Sequence, residues 1–178
     1  MTTNRKSLDE VDQIALPYRA VVEAEFAAIR HAAATGKGFY PQIMVSKLGG
    51  ESHGISFASV DIQVKELAAE QARTVARILD ADYSLVTAEA WALSAKDIKR
   101  HSEILDKYGS YGNYPNRLEV FTFSLETRSG CWYGSGRIFR KGGVSKKRFS
   151  IGPIKVVEGA MEGVLTGFIE RSLGAVPA

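Results

Sequence analysis

The sequence predicts an α+β fold: an antiparallel-rich or mixed sheet of about five or six strands, with helices packed mainly on one face. Three observations carry that expectation. Apolar residues recur at helical spacing near the start of the chain and again between residues 63 and 79. Between and after these stretches the period drops to two, in short runs bounded by glycine-containing turns. The resulting order, α-β-β-α-β-(α)-β-β-β-α, fits a sheet of this kind backed by helices.

Each element has a local reason. Ser7 and Glu10 have the spacing of a capping box, so a helix is expected from about Leu8. Pro17 kinks it or opens a second helix as its first residue. Tyr18, Val22, Phe26, Ile29 and Ala33 then form an apolar stripe that ends at Gly36 and Gly38. Two β-like runs, 42–48 and 54–60, flank a Gly-Gly turn and read as a hairpin. Leu67, Gln71, Val75 and Ile78 define one face of a helix over 63–79.

The second half is richer in strands. "YSLVTAEAWALS" (83–94) has the apolar and β-branched content of a buried strand. Ser94 and Asp97 suggest a cap for a short helix carrying Ile98, Leu105 and Tyr108 and closed by Gly109. Residues 108–116 form a Tyr/Gly/Asn loop. Three strand candidates follow, 117–127, 131–141 and 147–157, read as a meander. A final helix is expected over 158–171. In it Gly159, Gly163 and Gly167 would form a ridge open to a close backbone contact, with Gly163 buried there. Each such glycine costs roughly 1 kcal/mol against alanine.

Length and composition set the outer limits. The chain has 178 residues, 45% hydrophobic and 24% charged, as expected of one globular domain over 1–178 with frayed ends at 1–7 and 173–178. The single cysteine, Cys131, excludes an internal disulfide framework and a cysteine-based zinc cluster. His31, His53 and His101 lack the spacing of metal ligands, so no metal is expected. No phosphate loop or nucleophile elbow is present, and no cofactor is implied. The N-terminal stretch lacks a signal-peptide core and no apolar run spans a bilayer. The expectation is a cytoplasmic protein with no membrane contact.

Charge is uneven. Residues 1–89 carry nine basic and twelve acidic side chains; residues 90–178 carry fourteen and eight. Between Thr127 and Val157 lie eight basic residues and no acid. The hairpin there, "RIFRKGGVSKKRFS", interleaves Phe139 and Phe149 with Arg137, Arg140, Lys141, Lys146, Lys147 and Arg148. Such a field suits a phosphate backbone, with aromatics available for stacking. Lysine and arginine also protect sheet edges from aggregation.

Glu89 is the conspicuous single residue. A carboxylate amid Leu85, Val86, Trp91 and Leu93 is paired, protonated or functional. Pairing of 83–93 with 117–127 puts Arg117 within diagonal reach, so a structural Glu89–Arg117 ion pair is the expectation. A general acid or base is the sharper alternative and needs a cleft.

"EAW" (89–91), "PNRLEV" (115–120) and Gly136-Arg137-Ile138 together resemble a group of short uncharacterised α+β proteins of bacterial and phage or mobile-element genomes. The resemblance covers about 83–140. It implies that these segments are neighbouring strands, and it transfers no activity. Three functions are therefore carried forward. The first is a non-enzymatic accessory or interaction protein with a protein partner or as a homodimer. The second is a nucleic-acid-binding module using the 137–148 hairpin. The third is a small enzyme using Glu89.

Overall fold

The computed structural model describes residues 9–57, 61–140, 148–159 and 163–169. The expected frayed ends, the Ser7 cap and hairpin residues Lys141, Lys146 and Lys147 lie outside them. A 3-10 turn at Val11–Gln13 precedes helix α1 (Leu16–Thr35), then strands β1 (Gln42–Ser46) and β2 (Ser52–Ser56) and helix α2 (Ile62–Leu79). Strand β3 (Tyr83–Ala92), helix α3 (His101–Tyr108), strands β4 (Leu118–Thr127) and β5 (Cys131–Arg140), and the short β6 (Phe149–Ile151) and β7 (Lys155–Glu158) follow. The third predicted meander strand is thus two pieces, divided at Gly152-Pro153, because proline removes a ladder donor.

All pairings are antiparallel. The sheet runs β2-β1-β3-β4-β5-β6, and β7 pairs with β5 beside β6. The long β3–β4 ladder sets which side chains share a face: Leu85 stands opposite Leu125, Glu89 opposite Phe121 and Trp91 opposite Glu119. On that face α1 buries Tyr18, Val22, Phe26, Ile29 and Ala33, its predicted stripe, against Leu85, Phe121, Phe123 and Leu125. Phe26 meets the rings of Phe121 and Phe123 edge-on, at 5.8 and 5.0 Å between centroids, the favoured geometry for aromatic pairs. The α1 C-terminus is closed by Gly36 in the left-handed conformation.

The helices do not share a face. Helix α2 lies on the opposite side, over Ile43, Val45 and Val86. The reason is the alternation of β1: Ile43 and Val45 point away from Met44, and their apolar surface needs its own cover. Asp61 caps α2 by accepting from the Gln63 N–H at 2.9 Å. Its buried stripe is Ala68, Ala69, Ala72 and Ala76, not the predicted one, and Leu67 and Ile78 are 59% and 77% exposed.

The predicted C-terminal helix is also corrected. Lys155–Glu158 is a strand, and residues 163–169 form a turn and an extended strap. Gly163 and Gly167 have φ of 154° and 73°, values a side chain disfavours, so these glycines serve backbone turns rather than a helical ridge. Gly163 is exposed, with open space where a Cβ would stand. Among the described residues, the expected close contact there is absent.

Candidate functional site

Strand β3 is buried through Thr87 and then runs past the core, where Glu89 and Trp91 emerge at the surface. Glu89 is half-exposed, and its Oε2 accepts from Arg140 Nη2 at 3.1 Å. The Arg140 Nε donates to Glu119, and its guanidinium lies 5.0 Å from the centre of the Phe149 ring. One arginine therefore bridges two carboxylates on adjacent strands. The expected Glu89–Arg117 pair is replaced by this arrangement. Arg117 precedes β4, and its guanidinium sits 4.5 Å over the Trp91 ring while donating to the Tyr114 carbonyl at 3.3 Å. Cation–π attraction and a backbone acceptor hold it there, and β5 supplies Glu89 with a different cation.

A shallow depression of about 200 Å³ beside this cluster is lined by Arg117, Leu118, Glu119, Arg137, Ile138 and Arg140. Two glutamates answer the charge of Arg140, so it is less available to an outside anion than the other described members of the predicted basic set, Arg137 and Arg148. Arg137 is exposed and lies 5.1 Å over the ring of Phe139, itself 47% exposed. Arg148 is exposed as well.

A second concavity was not legible in the sequence. The strap 163–166, the first turn of α2 and the open face of β3 and β4 enclose a cleft of about 320 Å³. Val86, Ala88, Ile62 and Leu165 give it an apolar floor and walls, with Lys65, Thr122 and Ser124 at its polar positions. The strap is fixed by two side chains. Glu126, 6% exposed, accepts the N–H groups of Gly167 and Phe168, both at 2.8 Å. Arg73 donates to the carbonyls of Val164 and Thr166, each at 3.0 Å, and its guanidinium lies over the Phe168 ring. Both residues bond to backbone, which carries no side-chain signature, so sequence pattern alone could not pair them.

Electrostatics is concentrated at the far end of the sheet. Asp80 closes α2 in the left-handed conformation and accepts from Arg128 and Lys47. The Arg128 hydrogen bond, followed by that of Lys47, holds the Asp80 carboxyl below the usual carboxylate range. Among the described residues, no group of three histidine, cysteine, aspartate or glutamate side chains is arranged to hold a metal ion. Cys131 is buried at the start of β5.

Compared with protein-family models, with curated proteins and with solved structures, the chain gave no match. Among the described residues, no helix is long and apolar enough to cross a membrane.

Proposed function

We propose that this chain is a non-catalytic interaction protein that engages a protein partner through the outer face of α2. The observation behind the reading is the pair of faces this helix presents. Alanines meet the sheet, while Ile62, Val64, Leu67 and Ile78 are 53%, 42%, 59% and 77% exposed. A surface helix of a monomeric domain normally reserves its larger apolar side chains for the core. Here Val75 and Leu79 are partly buried against the core, while the other four face outward, as interaction surfaces do. The pairing of Glu89 with Arg140 supports a structural role for that carboxylate rather than acid–base chemistry.

The test compares the tagged full chain with a Leu67→Glu/Ile78→Glu variant by cross-linking in cell extract, with the captured chains identified by mass spectrometry. Capture by the wild type that is lost in the variant supports the reading. Identical capture by both refutes it.

A second reading, nucleic-acid binding, is favoured by one feature: Arg137 and Arg148 are exposed, and Arg137 lies against the exposed Phe139 ring. A cation beside an open aromatic face suits a backbone phosphate with a stacked base. Gel shifts at low salt on duplex and single strands test it. Affinity should fall with salt, with a log–log slope near −0.9 per phosphate neutralised on duplex DNA, and Arg137→Ala should weaken binding. No shift at low salt ends this reading.

A further inference from the structure

We propose that the cleft between the strap and the first turn of α2 binds a small carboxylic acid, with its short apolar tail on the floor of β3 and β4 and its carboxylate at Lys65. Neither Leu67 nor Ile78 lines this cleft, so it is separate from the outer face of α2 read above as a protein contact surface; only Ile62 borders both.

The hollow follows from side-chain size. Alternation along β3 and β4 puts Val86, Ala88, Thr122 and Ser124 on the α2 side of the sheet, with Val86 opposite Ser124 and Ala88 opposite Thr122. Four small side chains thus meet where the other face of the same strands carries Leu85, Phe121, Phe123 and Leu125. Nearer the end of α2, Phe168 and Ile169 fill the corresponding layer and pack against Ala76. Over the small residues nothing described fills it, and the remaining space of about 320 Å³ is in the range of small-molecule sites.

The walls are fixed by the protein itself. Arg73 donates to the carbonyls of Val164 and Thr166, and the Thr166 hydroxyl donates to that of Gly163 at 2.7 Å. Three of the four strap residues lining the cleft are therefore tied through their carbonyls, and Glu126 holds the next two through their amides. Across from them, Ile62 and Lys65 lie one turn apart on one flank of α2, whose start is capped by Asp61. A wall already in place spares a ligand the cost of ordering it.

The lining is chemically lopsided, which selects the ligand. Val86, Ala88, Val164 and Leu165 offer an apolar seat. Among the described residues lining the cleft, Lys65 carries the one formal charge. It is half-buried, and none of the ion pairs between described residues includes it. Thr122 gives its hydroxyl hydrogen to the Ala88 carbonyl at 3.2 Å, while the half-buried Ser124 on the floor is a further hydroxyl donor. One ammonium balances one carboxylate. A neutral alcohol of the same length forgoes the charge-assisted bond, and an amine meets like charge.

Titration of the full chain with octanoate, octanol and octylamine, read by calorimetry and by amide NMR shifts, tests this. Octanoate should saturate the wild type with a dissociation constant below about 1 mM, and octanol should bind roughly tenfold more weakly, with octylamine weaker still. The shifts should centre on the amides of Val86, Ala88 and Leu165. Lys65→Met should reduce octanoate to the affinity of octanol, and Lys65→Glu should make octylamine the tightest of the three. Ala88→Leu, which fills the floor, should weaken octanoate and octanol alike with an unchanged far-UV spectrum. An octanoate dissociation constant above about 1 mM overturns the proposal. So does octanol or octylamine binding the wild type as tightly as octanoate, a shift pattern centred outside the cleft, or an octanoate affinity indifferent to Lys65→Met. Leu67→Glu/Ile78→Glu alters neither wall nor floor and should bind octanoate like the wild type, so loss of α2-dependent partner capture and loss of octanoate binding are read separately.

Discussion

Glu126 receives the backbone N–H of Phe168 at 2.8 Å in a buried setting, and with the matching bond from Gly167 it fastens the C-terminal strap to the sheet. Both oxygens of the carboxylate are used, one per donor. Glu126→Ala leaves these donors without a partner, at about 1–3 kcal/mol for an unsatisfied buried group. Glu126→Gln keeps one acceptor and turns an amide N–H toward the other donor, so it should fall between. The expected readout is a lowered melting temperature together with faster hydrogen exchange at the Gly167 and Phe168 amides. An alanine variant with wild-type melting and exchange would show that the strap is held by other contacts.

Among the described glycines of the β-sheet, Gly134 leaves the least room for a side chain. A Cβ there would collide with the Lys155 carbonyl oxygen and come 2.7 Å from the Phe123 ring. The backbone cannot withdraw while Gly134 pairs with Val156, and Phe123 lies in the α1 core. Gly134→Ala should therefore destabilise by overpacking, by about 1–3 kcal/mol. Ser135→Ala, next along the strand and exposed, should stay within about 0.5 kcal/mol of wild type. Urea melts of the two variants decide this, and equal midpoints would contradict it.

These contacts show what the sequence makes legible. The α1 stripe is fully visible because its five apolar residues sit at one period and all meet the same sheet face. The β3 and β4 ladders follow from β-branched and aromatic content. Helix α2 shows the limit: its periodicity marks a helix and an apolar face, and the alanine face is the one that meets the sheet. Small side chains let α2 approach closely, which a stripe count does not register. At 158–171, glycines four residues apart mimic a helical ridge, yet a glycine also suits positive φ, and Gly163 and Gly167 are used in that way. Glu89 looked interior because β3 is apolar on paper to its end; the strand is fully buried only through Thr87, and Glu89 and Trp91 lie at the surface.

The Glu89 cluster makes the energetic difference measurable. Glu89 and Arg140 have side chains 39% and 36% exposed, so solvent screens their attraction. Glu89→Gln should cost at most about 1 kcal/mol, less at high salt. Arg140→Met should cost more than Glu89→Gln, because it leaves Glu89 and Glu119 facing one another without their shared cation. Thermal melts at low and high salt test the ordering. A loss of about 3–5 kcal/mol for Glu89→Gln, the scale of a broken buried pair, would refute the surface assignment.

Two carboxylates should give stability opposite slopes with pH. Burial in α1 pushes the Glu25 carboxyl up, only partly offset by the Gln42 amide donating to it at 2.7 Å. A raised value means the native state holds the proton more tightly than the unfolded chain. That stability is complete below the unfolded value and is lost as pH rises through the folded one. Glu25→Gln keeps an oxygen for Gln42 and removes the ionisation, so its advantage over wild type should grow as pH rises from about 4 toward neutrality. Asp80 behaves in the reverse sense: with Arg128 and then Lys47 holding its value down, its contribution is present above the unfolded value and fades as pH falls through the folded one. Asp80→Asn should therefore be less stable than wild type at neutral pH and converge on it in acid. Melting temperatures of the three proteins across this range read both slopes at once, and a pH-independent gap for either variant would remove that carboxylate from the account.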